Sequence, residues 1–168
     1  MARRARMLAE TETDLAGSWP CRYPTSVVWV SAGTWDGART ICPVVAHMVC
    51  CRHPFSVAIG LCRTEVAGGY YRRYAYDLAK ETGEFVVNQP PVDSDALTAL
   101  LGSYSGRGEA PDKFARAGLT AERGLCVAAP VIAECPLSLE CAITDEVIVG
   151  THAVLIGRVL AIHGEGRS

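Results

Sequence analysis

The sequence predicts a mainly β (α+β) protein, in which an antiparallel barrel is accompanied by a few short helices. Runs rich in β-branched and aromatic residues occupy both ends of the chain, and three segments with helical spacing lie between them. Because the strands lie mainly at the two ends of the chain, a parallel βαβ sheet is disfavoured. Six strands around three helices therefore indicate a closed antiparallel barrel.

A hairpin and a third strand are predicted first. Residues 26–32 (SVVWVSA) form a strand, and a turn at Asp36-Gly37 leads into a second strand over residues 40–49. A third strand over residues 55–62 follows Pro54, where the missing proline N–H does least harm.

The principal helix is predicted over residues 70–82. Its apolar positions Tyr71, Tyr74 and Leu78 recur at spacings of three and four residues. Gly83 stands where a helix C′ residue belongs, so the helix is expected to end there.

Short elements fill the middle of the chain. A buried strand over residues 85–87 ends before two prolines, which lack the N–H that a strand donates. One short helix then begins with Asp93 or Ser94 as its cap, and another begins at Pro111-Asp112 and stops at Gly118.

The tail of the chain returns to strand. Residues 137–144 alternate apolar and polar, and residues 146–149 pair through a turn at Gly150-Thr151 with a long strand over residues 152–163.

Length and charge limit the possible functions. The 168 residues are expected to form one domain, with residues 1–18 as an extended N-terminal arm. A net charge of −2 recruits neither nucleic acid nor an anionic membrane. No apolar run spans a bilayer, and acidic residues follow the N-terminal arginines where a signal peptide needs an apolar region. The protein is therefore expected to be soluble and cytoplasmic.

The eight cysteines are expected to be reduced, and most of them to be small core residues. No C-x-x-C pair exists, and the nearest approach to a metal cluster is His47, Cys50, Cys51 and His53. On one strand, at ~3.3 Å per residue, these side chains spread too far for tetrahedral zinc. We therefore predict no metal site, and a role of these residues in metal or haem binding has little support.

Common enzyme signatures are missing from the sequence. Gly106-Arg107-Gly108 lacks the third glycine of a dinucleotide-binding loop, and its simplest interpretation is a mobile loop. The chain has no Walker lysine motif, nucleophile elbow or zinc-protease motif, so hydrolase and P-loop chemistry have no support.

Several short motifs occur in a fixed order along the chain. They are residues 83–88 (GEFVVN), 112–114 (DKF), 130–134 (PVIAE), 136–140 (PLSLE) and 150–163 (GTHAVLIGRVLAIH). Over nearly the whole chain they resemble the flavin reductase-like family of FMN-binding split barrels, the flavoredoxin branch in particular. The resemblance implies a Greek-key FMN-binding split β-barrel.

The family segment that lines the FMN matches residues 40–47. Thr40 and Pro43 fit the family pattern, whereas Val45 and Cys51 replace residues that are usually serine. Cys42 stands where alanine is usual, beside the implied flavin ring, and its thiol either tunes the flavin or is a small packing residue.

A second group of matches lies around the implied FMN phosphate. Arg73 matches the family arginine, whereas Ala75 replaces a threonine, and Lys113-Phe114 match the family's Asp-Lys-Phe segment. Arg72, Arg73, Arg107 and Lys113 are cations that can replace the lost hydroxyls. The implied cofactor-binding residues are Thr40, Ile41, Cys42, Val45, Ala46, Arg73, Tyr74, Ala75, Lys113 and Phe114.

Two histidines are the candidate catalytic residues. His152 matches a family position near the flavin and nicotinamide, where it orients a hydride donor or bonds the reduced ring. His47 supplies a proton or stacks on the ring if it faces the flavin. His152 is otherwise an ordinary core or turn histidine.

The resemblance implies an oxidoreductase. FMN, or FAD in its place, accepts hydride from NADH or NADPH, or single electrons from a redox protein, and passes them on. Such proteins resemble homodimers with a flavin at each subunit interface, and a partner monooxygenase is a possible consumer of the reduced flavin. The alternative is a non-catalytic split barrel whose altered pocket binds another ligand or none, as a sensor or assembly module.

Overall fold

The computed structural model describes residues 26–65, 71–108 and 112–164. The predicted N-terminal arm (residues 1–18), the break at Gly68-Gly69, the predicted helix start at Tyr70, and Pro111 lie outside these ranges.

An antiparallel sheet of seven strands forms the body of the protein, in the order β2-β1-β5-β8-β9-β4-β3. The predicted mainly-β antiparallel fold class is confirmed. The strands are β1 (Val28–Gly33), β2 (Arg39–Val44), β3 (His47–Arg52), β4 (Phe55–Cys62), β5 (Glu84–Gln89), β6 (Ala121–Glu122), β7 (Val131–Ile132), β8 (Leu137–Val149) and β9 (His152–Gly164), and the helices are α1 (Tyr74–Thr82), α2 (Asp95–Gly102) and α3 (Lys113–Ala117).

The predicted strand over residues 40–49 is wrong, because the chain forms two strands there. β2 ends at Val44 and β3 begins at His47, and the two lie at opposite edges of the seven-stranded sheet. Between them, the Ala46 carbonyl accepts a hydrogen bond from the Gly60 N–H at 2.7 Å. β2 and β3 therefore pair with different partners, β1 and β4, although only two residues separate them.

Helix α1 begins at Tyr74, so its predicted N-terminal turn is wrong. Arg73 is extended (ψ 131°), and its N–H bonds the carbonyl of Cys62, the last residue of β4, at 2.9 Å. Tyr71, predicted on the buried helix face, is exposed. The predicted stop is confirmed, because Gly83 adopts φ +74° and its N–H bonds the Ala79 carbonyl.

The two short helices agree with prediction. Ser94 precedes α2 as its N-cap residue. The Asp112 carboxylate caps α3 by accepting the Ala115 N–H at 2.9 Å, and Gly118 ends α3 at φ +66°. The two-residue strands β6 and β7 were not predicted, because such short elements carry no periodicity.

The two faces of the β1–β2 hairpin contact different helices. Cys42 and Val44 lie in the core of the barrel with α1, whereas Trp29 and Ile41 pack on the other face against α2 and α3. Alternation along β2 thus places Cys42 and Val44 in the barrel interior and Ile41 on the other face.

A buried asparagine joins four segments. The side-chain amide group of Asn88 donates to the Trp29 carbonyl and the Ser31 hydroxyl, both at 3.0 Å. Its Oδ1 accepts from the Ile132 N–H and the Ser138 hydroxyl. Asn88 is fully buried, and these bonds satisfy both ends of its amide.

A buried carboxylate anchors the segment before β7. Glu140 accepts hydrogen bonds from the N–H groups of Leu125, Cys126 and Val127 at 2.6–2.8 Å, and it also contacts His163. Backbone groups that lack a strand partner are satisfied in this way.

The expectation that most cysteines are core residues is wrong for the described part of the chain. All seven cysteines there are free thiols, but only Cys42, Cys62 and Cys141 are buried, whereas Cys50 and Cys126 are exposed. Burial raises the pKa of Cys141 to about 12, so that thiol is protonated and unreactive.

Candidate functional site

The candidate site is centred on Thr40 near the start of β2. Its side chain is only 1% exposed, and its hydroxyl oxygen has no hydrogen-bond partner among residues 26–65, 71–108 and 112–164. A buried hydroxyl without a partner costs free energy, so such groups are rare in folded proteins. The Thr40 hydroxyl therefore has unused hydrogen-bonding capacity.

A glycine loop covers this hydroxyl. A Cβ atom built on Gly106 would lie 3.0 Å from Thr40 Oγ1 and 3.1 Å from Lys113 Cε, and Gly106 adopts φ +78°. The backbone angle favours glycine, and a side chain here would press on both neighbours. The sequence indicated a mobile loop here, whereas the structure shows Gly106 packed on two of the predicted cofactor-binding residues.

Lys113 is buried beside Thr40. Its ammonium donates to the Leu101 carbonyl at 2.6 Å and lies 4.9 Å from the centre of the Tyr104 ring. These contacts partly offset the cost of burying a charge. Lys113 is thus a fixed cation, not a surface lysine.

Arg73 supplies a second cation at the start of α1. It is the N-cap residue, and no side chain caps this helix end, so N–H groups of the first turn lack a side-chain acceptor. The partial positive charge of the helix terminus adds to the guanidinium charge. An anion is therefore favoured at this end of α1.

The positive charge of Arg73 acts on the pKa values of His152 and Cys42. Burial first and Arg73 second lower the pKa of His152, so its imidazole is neutral at pH 7. Burial raises the pKa of the Cys42 thiol, although Arg73 and Lys113 act in the opposite direction. Cys62 connects Arg73 and His152. It is the β4 partner of His152 on β9, and its carbonyl accepts the Arg73 N–H.

Five of the predicted site residues are thus brought together. They are Thr40, Cys42, Arg73, Lys113 and His152. Tyr74, the first residue of α1, lies at the edge of this group, with the Arg107 guanidinium 5.1 Å from its ring centre.

His47 does not join this group. It lies at the far end of the β1–β2 hairpin, because β2 ends before it, and its Nε2 is 3.0 Å from the Ser26 hydroxyl. There it lines a cavity of about 620 Å³ with Val28, Ile59 and Leu139. Val45 and Ala46 lie in the link between β2 and β3.

Three other predicted residues have side chains in the core. Ile41 and Phe114 pack in the cluster under α2 and α3, and Ala75 packs in the barrel core. Their side chains are committed to packing, so only their backbone groups remain for a ligand.

Asp77 and Tyr104 were not predicted as site residues. Asp77 pairs with Arg72 and Arg107, and the Tyr104 ring contacts the cations of Lys113 and Arg116, which lie 4.9 and 4.2 Å from its centre. Both act through contacts between segments, which no local motif predicts.

No cluster of three or more metal-ligating side chains occurs among the residues that the structure describes. In the same part of the chain, no helix is both long enough and apolar enough to cross a membrane.

Comparison with known proteins extends these observations. The model of the flavin reductase like domain matches residues 21–168. An FMN reductase (NADH), RutF, from Bradyrhizobium diazoefficiens is 35% identical over 92 residues, which are 55% of this chain and 48% of the relative. The chain spans between 34% and 53% of the length of the curated relatives it matches.

Solved structures share the fold. Flavoredoxin of Desulfovibrio vulgaris superposes with a TM-score of 0.71 and 28% identity over 89% of this chain and 74% of that one. Nitrilotriacetate monooxygenase component B from Bacillus cereus gives a TM-score of 0.75 at 21% identity, over 97% of this chain and 83% of that one. The fold is therefore the split barrel, and the chain belongs to the flavin reductase-like family.

Proposed function

We propose that the chain binds FMN between Thr40, Lys113 and the N-terminus of α1, and that it is an NAD(P)H-dependent flavin reductase or a flavoredoxin-like electron carrier. The buried, unbonded Thr40 hydroxyl carries this proposal, because it lies beside the Lys113 cation. Arg73 and the uncapped helix end suit a phosphate dianion.

The residues present fit the cofactor in spite of lost hydroxyls. Valine at 45, cysteine at 51 and alanine at 75 remove hydroxyl groups that the family usually has, and each such bond contributes roughly 0.5–1.5 kcal/mol. A charge-assisted bond contributes about 1.5–3 kcal/mol, so Arg73 and Lys113 can compensate for two or three of these losses.

When bound, the flavin supplies the redox chemistry by accepting hydride from NADH or NADPH and passing the electrons on. Within the chain, Arg73 and the α1 N-terminus hold the phosphate, and Thr40 bonds a polar edge of the ligand. His152 is the catalytic candidate that we retain, because its neutral imidazole lies beside Arg73. His47 is not assigned this role, since it lies at the far end of the hairpin.

We also propose that the protein is a homodimer. Several apolar side chains on β3, β8 and β9 are about half exposed, which is unusual for a surface that stays in water. A second copy that covers them would give an apolar interface. They are Met48, Val49, Val147, Ile148, Val149, Leu160 and Ile162. Sedimentation equilibrium tests this proposal, and a monomer at micromolar concentration contradicts it.

The electron acceptor belongs to the proposal as well. Similarity to a flavoredoxin and to a monooxygenase component B supports a redox protein or a monooxygenase as the partner that takes electrons from this chain. The cytoplasmic location, the single domain over residues 1–168 and the use of FAD in place of FMN remain predictions.

The alternative is a non-catalytic split barrel that binds another ligand or none. The observation in its favour is that Ala75 and Val45 offer no side-chain donor at two positions where the family has one. Under this alternative, the Thr40 hydroxyl serves a different small polar ligand.

The visible absorption spectrum separates the two functions. We expect the purified protein to bind added FMN and to bleach when NADH or NADPH is added without oxygen. Arg73→Ala should weaken FMN about 10- to 100-fold, whereas the matched control Arg123→Ala, at an exposed arginine, should not. Protein that neither binds nor reduces FMN would establish the alternative.

A further inference from the structure

Two arginines share one carboxylate beside the start of α1. Arg72 Nε lies 2.5 Å from Asp77 Oδ1, and Arg107 Nη2 contacts Asp77 Oδ2. Arg73 adds a third positive charge and forms no ion pair with any residue that the structure describes. Positive charge is therefore in excess here, although the whole chain carries −2.

Arg107 connects two parts of the proposed phosphate site, the start of α1 and the pair Thr40 and Lys113. Its guanidinium is 5.1 Å from the ring centre of Tyr74, the first residue of α1. The residue before it, Gly106, contacts Thr40 and Lys113. The Arg107 side chain is 50% exposed, so a ligand in solution can reach its guanidinium.

We propose that Arg107 binds the phosphate monoester of the nucleotide ligand by exchanging the Asp77 carboxylate for the phosphate. This inference rests on the proposed function. A phosphate dianion attracts a guanidinium more strongly than a carboxylate does. The planar guanidinium can bond two oxygens of the phosphate at once. Arg72 stays on Asp77 after the exchange, so no carboxylate loses its only partner.

The phosphate monoester has two possible sources. One is the 5′-phosphate of FMN, and the other is the 2′-phosphate that distinguishes NADPH from NADH. Riboflavin lacks the first phosphate and NADH lacks the second, so each pair of ligands isolates one source.

The experiment measures dissociation constants of FMN and riboflavin, and KM for NADPH and NADH, in wild-type protein, Arg107→Gln, Asp77→Asn and the control Arg123→Gln. We expect Arg107→Gln to weaken FMN about 10- to 100-fold and to leave riboflavin unchanged. If the 2′-phosphate is the source, KM rises for NADPH alone. Either result supports the phosphate contact.

Asp77→Asn separates this contact from a role in fastening the loop. Both variants break the Arg107–Asp77 pair. If this pair only fastens the loop that holds Arg107, both variants should bind FMN and riboflavin more weakly. The phosphate contact predicts opposite directions, because Asp77→Asn removes a competing carboxylate and leaves FMN binding equal or tighter. Equal losses for FMN and riboflavin in Arg107→Gln, or no change for any ligand, would overturn the inference alone, whereas wild-type protein that binds no flavin would overturn the proposed function together with it.

Discussion

The side chain of His163 on β9 contacts the buried carboxylate of Glu140 on the neighbouring strand β8. The same carboxylate accepts three consecutive backbone N–H groups from residues 125–127. One side chain therefore holds a sheet residue and an irregular segment together.

Replacing Glu140 by glutamine should destabilise the fold by about 2–4 kcal/mol. An amide carries no charge, and its NH₂ group faces N–H groups that need an acceptor. Chemical denaturation measures the loss. The control is Glu134→Gln, because this exposed carboxylate bonds only the Thr120 N–H within the part of the chain that the structure describes, and the change should cost less than about 1 kcal/mol. Equal costs at the two positions would contradict the role of burial.

The Glu140 contribution should disappear in acid. Burial alone would raise the pKa of Glu140, but the bonds from His163 and residues 125–127 lower it below the ordinary value of 4.5. The unfolded chain thus takes up the proton first as pH falls. The stabilisation is complete above about pH 4.5 and is lost as pH falls through the lower folded pKa. The difference in unfolding free energy between wild type and Glu140→Gln should shrink over that window, and a constant difference would exclude the linkage.

Thr40→Val should have opposite effects on stability and on binding. Valine is nearly isosteric and removes an unbonded buried hydroxyl, so the ligand-free protein should be equally stable or up to about 1 kcal/mol more stable. FMN should bind about 2- to 10-fold more weakly. Thr98→Val is the comparison, because its hydroxyl accepts the Trp29 indole N–H at 3.0 Å and its loss should destabilise. Equal destabilisation by both variants would mean that the Thr40 hydroxyl is already satisfied.

Arg73→Gln should raise the pKa of His152. Burial is the larger cause of its lowered pKa and remains in the variant, so the pKa should rise while staying below the ordinary 6.5. Nuclear magnetic resonance titration of the imidazole measures this without any flavin. Arg72→Gln, the adjacent arginine that pairs with Asp77, serves as the control. An unchanged His152 pKa in Arg73→Gln would show that the two side chains do not interact.

Gly157→Ala should destabilise by about 1–3 kcal/mol. The added Cβ would lie 2.5 Å from Phe85 Cζ and 2.9 Å from the Cβ of Cys141, inside the barrel core. Gly102→Ala is the control, since the nearest atom to its Cβ is 4.0 Å away. In a Phe85→Leu background the cost of Gly157→Ala should fall, and strictly additive costs would contradict a Phe85 clash.

Local signals predicted the elements that depend on local chemistry. Gly83 ends α1 and Gly118 ends α3, because both reach the left-handed backbone region at no steric cost. The start of α1 could not be predicted this way. Arg73 forms a backbone bond with Cys62, so tertiary pairing overrides a helical pattern that includes Tyr71.

The candidate site was only partly predictable for the same reason. Family motifs identified Thr40, Arg73, Lys113 and His152, which the fold brings together. The pair between Arg107 and Asp77 joins residues 30 positions apart, and no sequence spacing indicates it. His47 was a candidate because it ends the segment, residues 40–47, that matches the family's flavin-lining run, and the break after Val44 places it at the other end of the hairpin.

That break has a mechanical consequence. β2 and β3 are the two edges of the sheet, and only Val45 and Ala46 connect them. Three Cα–Cα steps span at most about 11 Å, so the chain itself limits how far the edges can separate at this point. Covalent bonds therefore hold the two edges together here, where the strands form no hydrogen-bonded pair. Cutting the chain between Val45 and Ala46 should release the two edges and let the barrel open from the end that holds His47.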